Sequence, residues 1–550
     1  MMAQSQLRRW VWPVLLAFVV LWFGTLEYRK LVKPDEGRYA EIPREMVASG
    51  DWVTPRLNAL KYFEKPPLQY WATATAYTLF GQHQWTSRLW AGLTGFAGVM
   101  LVWFAGARLF GRDAGLYAAL LLGSSMLYVL IGHINTLDMG VTFFITLGIA
   151  GFLLGQQQGA DARTRRNWMW MAWVAMALAV LSKGLMGLVL PGAALFIYAV
   201  LQRDWTLWRR MHWGMGLLLF LLVAGPWFYL VMKANPEFFQ KFFIYEHYTR
   251  FTTKELGRYQ PWYYFIPILL TGMLPWTVMM FDTLLRTWKG SAHIGRAFNS
   301  ERFLLVWVVF IYVFFTVSGS KLPSYLLPMF PALALLMGKQ LAQMQVRRLF
   351  WLVAPMLPVV LLILGLVPFS TRLADNPLQQ EMYGNYMVWA AVAALIWTLG
   401  VVAALVLLRR SNKPAAVVVL AFSTLIAAQI GLLGHNTVAR ERSAFHIAEA
   451  IRPLVKPDVP FYSVQMYEQT LPFYLKRTFT LVEYQDELAF GIAQEPQRYI
   501  PNLAGFVQVW QAQPAAYAIM LRPVYLQFKE QGLAMNVVFE DTQYVVITKP

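Results

Sequence analysis

Residues Trp10–Leu26 read WVWPVLLAFVVLWFGTL, an apolar stretch with no charged side chain. About 20 mostly apolar residues suffice to cross the hydrocarbon core as a helix, so this stretch reads as a membrane span. Arg8 and Arg9 precede it, as in a secretory signal. No small-residue cleavage site follows, and the run passes directly into Glu27-Tyr28-Arg29-Lys30. It is read as a retained first span, with a cleaved signal as the alternative.

Windows of the same kind recur as far as Leu433, about thirteen in all on that length criterion. The later ones are expected near 86–109, 113–131, 136–155, 167–182, 185–201, 212–232, 262–281, 303–318, 324–341, 349–368, 386–408 and 414–434. Composition agrees: the 550-residue chain is 58% hydrophobic and only 14% charged, with mean hydropathy +0.44. That is too apolar for a water-soluble globule. The fold class expected is a polytopic α-helical membrane protein followed by a small soluble α/β domain.

The formal net charge of +18 invites a nucleic-acid reading. Its distribution argues otherwise, because Lys and Arg fall mainly in short connections between apolar spans. With a cytoplasmic N terminus, the inner connections hold Arg108/Arg112, Arg163/Arg165/Arg166, Arg203/Arg209/Arg210, Arg286/Lys289/Arg296/Arg302, Arg347/Arg348 and Arg409/Arg410/Lys413. Every inner connection is then basic, which sets the orientation by the positive-inside rule. An odd number of spans exports the C terminus. The domains expected are a membrane body over 1–434, with large outward loops at 27–85 and 233–261, and a soluble domain over 435–550. In the latter, short alternating segments at Val459–Val464, Thr478–Val482, Ala516–Leu521 and Met535–Thr548 read as strands.

The absence of cysteine removes disulfides, thiolate metal sites and cysteine nucleophiles. There is no Gly-rich phosphate loop, so nucleotide binding is unsupported. Chemistry-bearing residues concentrate in the outward connections. Lys33-Pro34-Asp35-Glu36-Gly37-Arg38-Tyr39 leads into a short amphipathic helix expected at the membrane surface. Asp35 is placed there either as a helix cap or as a catalytic acid. Tyr62-Phe63-Glu64-Lys65-Pro66-Pro67 sets an acid and a base before a stiff double proline; an ordinary interfacial ion pair is the alternative.

Gly132-His133-Ile134-Asn135-Thr136-Leu137-Asp138 places an acid at the hydrocarbon edge, where an unpaired carboxylate is costly. Lys183, in Ser182-Lys183-Gly184, poses the same question with opposite sign and is a candidate partner for Asp138. Arg250 and Arg258 are candidate ligands for a lipid phosphate, since a guanidinium can clamp it with two parallel bonds; headgroup attraction is the alternative. Glu64 and His247 are chemically suited to share one divalent metal. Lys321 and Tyr325 lie at an outward turn, where simple anchoring is also open. These residues gather on one side of the membrane, which suggests one site.

Asp35-Glu36, the Tyr-Phe-Glu-Lys-Pro-Pro-Leu segment, Asp138, Ser182-Lys183-Gly184 and Lys321-Leu-Pro-Ser-Tyr325 together resemble the GT-C superfamily of lipid-linked glycosyltransferases. The resemblance is to its branch with the protein O-mannosyltransferases, and more closely to the bacterial lipid A aminoarabinose transferases. It implies a GT-C-type fold with juxtamembrane periplasmic helices in the bacterial inner membrane. The activity implied is transfer of 4-amino-4-deoxy-L-arabinose from undecaprenyl phosphate to a lipid A phosphate, masking charge against polymyxin and other cationic peptides. Lys65, Arg250 and Tyr325, with Lys321 and Arg258 beside them, would hold the carrier phosphate. Asp35, Asp138 and Lys183 would line the sugar and acceptor pocket. No cofactor is required by this reading; a divalent metal at Glu64 and His247 stays open. Another lipid-linked sugar transferase, a transporter and a scaffold are the competing classes; the outward clustering of acids speaks against a transporter, and a scaffold leaves Asp138 and Lys183 unexplained.

Overall fold

The computed structural model describes residues 2–157, 159–249, 260–290 and 298–549, leaving aside the side chains of 2–10 and 247–249. The chain divides into two compact units. One runs up to Arg29 and resumes over Arg88–Val438; the other combines Lys30–Ser87 with the chain from Ala439 onward.

The first, the membrane unit, is helical. Among the described residues eight helices are long and apolar enough to cross a bilayer, ten if each of two bent pairs is one span. The shorter apolar helices Val11–Phe23 and Met186–Gln202, together with Ala162–Lys183, give each span expected from the sequence a helical counterpart. Two of those are not straight. Arg112–Gly123 and Met126–Gly132 meet at 67°, and Phe265–Gly272 and Thr277–Gly290 at 105°. The second bend falls at Met273-Leu274-Pro275-Trp276, where proline withholds a donor from the helical ladder.

Helices Asp138–Gly155 and Ala162–Lys183 pack against each other. Gly151 faces Ala172 and the backbone of Trp168, so the two axes approach closely. The connection between them is short, so they run antiparallel. The first residue of one and the last residue of the other therefore come to the same end.

The second, the sheet unit, contains a two-stranded antiparallel hairpin, β1 (Arg56–Leu57) and β2 (Leu60–Lys61). A six-stranded sheet is built from β3 (Phe461–Val464), β4 (Thr480–Val482), β5 (Tyr499–Ile500), β6 (Tyr517–Leu521), β7 (Asn536–Glu540) and β8 (Tyr544–Thr548). Its order is β5-β4-β3-β6-β8-β7. β3 pairs in parallel with β4 and β6, and β4 with β5, whereas β8 is antiparallel to both β6 and β7. All four β3 residues are buried, as expected of a central strand covered on both faces. One face packs Tyr462, Val464, Val482, Met520 and Ile547 on Phe506, Trp510 and Phe528 from the helices Leu503–Ala512 and Arg522–Glu530.

The boundary drawn at 434 from composition thus divides the chain differently from its contacts: the loop assigned to the membrane body belongs with the C-terminal chain. Asn58 donates from Nδ2 to the Phe479 carbonyl at 2.8 Å and accepts from the Phe479 amide at 2.7 Å. Leu31 donates its amide to the Tyr474 hydroxyl, and Lys33 donates its amide to the Arg442 carbonyl. Nor is the helix Asp35–Ser49 a half-exposed surface helix. Glu36 through Met46 are all buried. Two of its charges are internal and paired: Arg44 grips Glu41 through two bonds of 2.6 and 2.5 Å.

Candidate functional site

In the membrane unit, Asp138 opens its helix and Lys183 closes the neighbouring one. Their side chains form an ion pair, 13% and 14% exposed respectively. Each charge also sits at the helix end its sign favours, the carboxylate at an N terminus and the ammonium at a C terminus. The Tyr325 ring lies 5.2 Å from the Lys183 ammonium and packs on Phe315. Three residues singled out in the sequence therefore meet in one cluster.

The turn before Asp138 is anchored by buried hydrogen bonds. His133 lies with Nδ1 2.7 Å from the Val129 carbonyl and Nε2 2.8 Å from that of Trp22. Arg29 donates to the His133 carbonyl at 2.5 Å. Arg88, fully buried, donates to the carbonyls of Leu26 and Arg29. The Lys321 ammonium donates to the carbonyls of Gln260 at 2.9 Å and Ser318 at 2.8 Å, the latter the C-cap of helix Ser300–Val317. Arg250, Arg258 and the side chain of His247 lie outside the described residues.

In the sheet unit, Asp35 is the first residue of its helix rather than its cap, a position that Pro34 holds. Its carboxylate is 46% exposed, with Arg38 at 3.9 Å, whereas the residues around it are fixed. Lys33 donates to the Tyr544 hydroxyl at 2.6 Å. Arg38 bonds Glu487 at 2.8 Å and the Tyr62 hydroxyl at 3.1 Å. Gly37 lies so close to the Gln469–Thr470 backbone that a Cβ would stand 2.6 Å from the Gln469 carbonyl oxygen. That explains the glycine between an acid and a base.

Burial pushes the Glu487 carboxyl upward while Arg38 pulls it down. Glu64 is near enough to raise the proton affinity of Arg38, Tyr62 and Glu487. Asp35, Glu64 and Glu487 are thus three acids around one guanidinium. Among the described residues, no group of three or more His, Cys, Asp or Glu is arranged to hold a metal. Lys65, half-buried, donates to the Glu64 carbonyl at 3.0 Å.

The sequence reading did not find Glu487. It is more than four hundred residues from Asp35, and no spacing links them. Arg38 carried a readable signal, three residues after Asp35 on one helix face.

Known proteins share this architecture. Residues 10–240 match the family model described as dolichyl-phosphate-mannose-protein mannosyltransferase, and residues 447–549 match the aminoarabinose transferase C-terminal domain. The crystal structure of ArnT from Cupriavidus metallidurans bound to undecaprenyl phosphate superposes with a TM-score of 0.93, at 40% identity over 98% of both chains. The chain belongs to the ArnT aminoarabinose transferase family. A relative from Edwardsiella ictaluri, named undecaprenyl phosphate-alpha-4-amino-4-deoxy-L-arabinose arabinosyl transferase, is 34% identical over 323 residues. That match spans 58% of this chain and 57% of the relative. A like-named protein of an Enterobacter species is 29% identical over 70% of each chain. The GT-C fold expected from the sequence, and its C-terminal domain, are those of the ArnT family.

Proposed function

We propose that this protein is a pentosyltransferase that moves 4-amino-4-deoxy-L-arabinose from undecaprenyl phosphate to a phosphate of lipid A, and so confers resistance to polymyxin. The reading places it in the bacterial inner membrane, with the sheet unit and the catalytic residues periplasmic. The observation that carries it is the 98% coverage of a structure solved with undecaprenyl phosphate. The basic inner connections and the paired Asp138–Lys183 at a helix boundary support the same reading.

The reaction breaks the bond between the anomeric carbon and the carrier phosphate oxygen, and forms one to a lipid A phosphate oxygen. The transition state is oxocarbenium-like, and negative charge grows on the departing phosphate. Lys65, Arg250, Arg258 and the Tyr325 hydroxyl are assigned to that charge. The acceptor is already an anion, so little general-base help is needed. Asp35 and Asp138 are therefore assigned to position the sugar and its ammonium, with Lys183 paired to Asp138. Lys321, which donates to two carbonyls, is also assigned to the carrier phosphate.

Purified protein in proteoliposomes with the aminoarabinosyl carrier and lipid A is expected to yield lipid A heavier by one aminoarabinose. Asp35→Asn and Lys65→Ala are expected to insert, fold and transfer nothing. Normal transfer by either variant would remove that residue's role. The match of residues 10–240 to the mannosyltransferase model favours a second reading, a relative using another lipid-linked sugar. Mass spectrometry of lipid A from cells with and without the gene separates the two.

A further inference from the structure

Residues 62–67 carry Glu64 and Lys65 as a short bridge between two fixed ends. Downstream, Pro67 leads into helix Leu68–Phe80, which packs on Asp35–Ser49 through Tyr70 against Tyr39 and through the Tyr77 hydroxyl donating to the Ala40 carbonyl. Upstream, the hairpin is held by one short segment of the C-terminal chain. Glu495 takes the Arg56 guanidinium on both carboxylate oxygens, each at 2.9 Å, and accepts from the Lys61 amide at 3.2 Å. Arg56 also donates to the Ala59 carbonyl at 2.7 Å, which closes the turn from inside.

The helix just before Glu495, Ala489–Gln494, adds two further holds. Its Phe490 ring packs on Phe63 at 5.7 Å. At Gly491 the helix touches the hairpin so closely that a Cβ would stand 2.7 Å from the Lys61 carbonyl oxygen. Residues 56, 61 and 63 are thus all fixed by residues 490–495, immediately before the acid and base assigned to chemistry. The Arg56–Glu495 pair is largely removed from solvent, at 26% and 14% exposed. One Arg56 nitrogen, Nη1, meets both Glu495 oxygens, and the same carboxylate takes the Lys61 amide, so one acid fixes two points of the hairpin.

We propose that the C-terminal domain is a positioning element for the carrier-phosphate lysine: Glu495, with Gly491, sets where residues 62–65 lie and hence where Lys65 presents its ammonium. Neither residue is assigned to touch substrate. This rests on the transferase reading above, in which Lys65 meets the departing phosphate. It gives the C-terminal domain a role in the reaction that its distance in sequence from every catalytic residue conceals. A displacement of about an ångström at a positioned group is enough to cost on the order of a hundredfold in rate.

The test uses the full-length protein in proteoliposomes, with undecaprenyl phosphate as the binding probe and the aminoarabinosyl carrier as donor. Glu495→Gln keeps the size but loses the ion pair; Gly491→Ala pushes the hairpin from the other side. Both are expected to raise the Kd for undecaprenyl phosphate and the donor KM roughly tenfold in the folded protein, while the lipid A KM changes little. The charge swap Arg56→Glu/Glu495→Arg is expected to recover most of the donor KM lost by Arg56→Glu alone. A purely structural role would lower the folded fraction, reducing the apparent kcat at unchanged donor KM. That result, or a wild-type donor KM in both variants, overturns the proposal while leaving the transferase reading in place. Wild-type protein that neither binds undecaprenyl phosphate nor transfers aminoarabinose overturns the transferase reading and the proposal with it.

Discussion

Replacing Lys183 by methionine keeps the stem of the side chain and removes its charge. The carboxylate of Asp138, only 13% exposed, is then left at a helix start without its partner. Breaking a fully buried pair by deleting one member costs about 3–5 kcal/mol, and an exposed pair contributes at most about 1 kcal/mol. At this exposure a loss of about 2–3 kcal/mol is expected, of which the lysine's contact with the Tyr325 ring accounts for roughly 0.5–1 kcal/mol. Asp138→Asn/Lys183→Met removes the orphaned charge together with its partner. Its cost is therefore expected to fall short of the sum of the two single changes by about 1.5 kcal/mol. The assay is reversible chemical unfolding in detergent micelles for the four proteins of the cycle, with transfer measured in parallel. All three variants should be inactive, including the double variant whose stability partly recovers. Single costs that add to the double within about 0.5 kcal/mol would refute the coupling. Transfer by the double variant would refute the catalytic assignment.

Two further outcomes are expected. Burial, reinforced by Glu41, raises the Glu45 carboxyl to about 8, against amides of Asn58 and Ala59 that pull it down. The folded state then binds more protons than the unfolded chain between about pH 4.5 and 8, so stability should fall as pH rises through that window and level off above it. Thermal unfolding of the wild type and of Glu45→Gln at pH 5, 6.5 and 8 tests this; an equal slope in both removes Glu45 as its source. Gly37→Ala drives a methyl group into the Gln469 carbonyl and should destabilise the sheet unit by about 1–3 kcal/mol, with reduced transfer; a variant as stable as the wild type would mean that the helix start shifts freely.

Hydropathy made the membrane helices readable because each span must satisfy its own backbone, so its composition is local information. The strands at 461–464, 480–482 and 517–521 were equally visible, and the segment read as Met535–Thr548 proves to be the β7–β8 hairpin. The two-residue strands β1, β2 and β5 escaped. Asp138 with Lys183 was legible as two costly charges of opposite sign, each in want of a partner. What escaped lies in long-range packing. The helix at Asp35 looked amphipathic, because nothing in its pattern shows that Arg38 has the carboxylate of Glu487 waiting for it inside the fold. The partnership of residues 30–87 with the C-terminal chain left no periodic trace. It is written in single residues, Asn58, Glu487 and Glu495, each unremarkable in its own neighbourhood.

That partnership has a consequence for biosynthesis. The two segments of the sheet unit are separated by the stretch Arg88–Val438, roughly 350 residues, which at about 5–20 residues per second takes on the order of 20–70 s to make. Throughout that interval the loop bearing Asp35 and Lys65 has left the ribosome without the strands that complete it. Its buried arginines and glutamates have no partners from the later chain, and β8, which pairs with both β6 and β7, is made after every other strand of the sheet. The segment richest in chemistry is thus synthesised early and folds late. A chain stopped shortly before Tyr544 would carry every residue assigned to catalysis and still lack the hydroxyl that holds Lys33 beside Asp35.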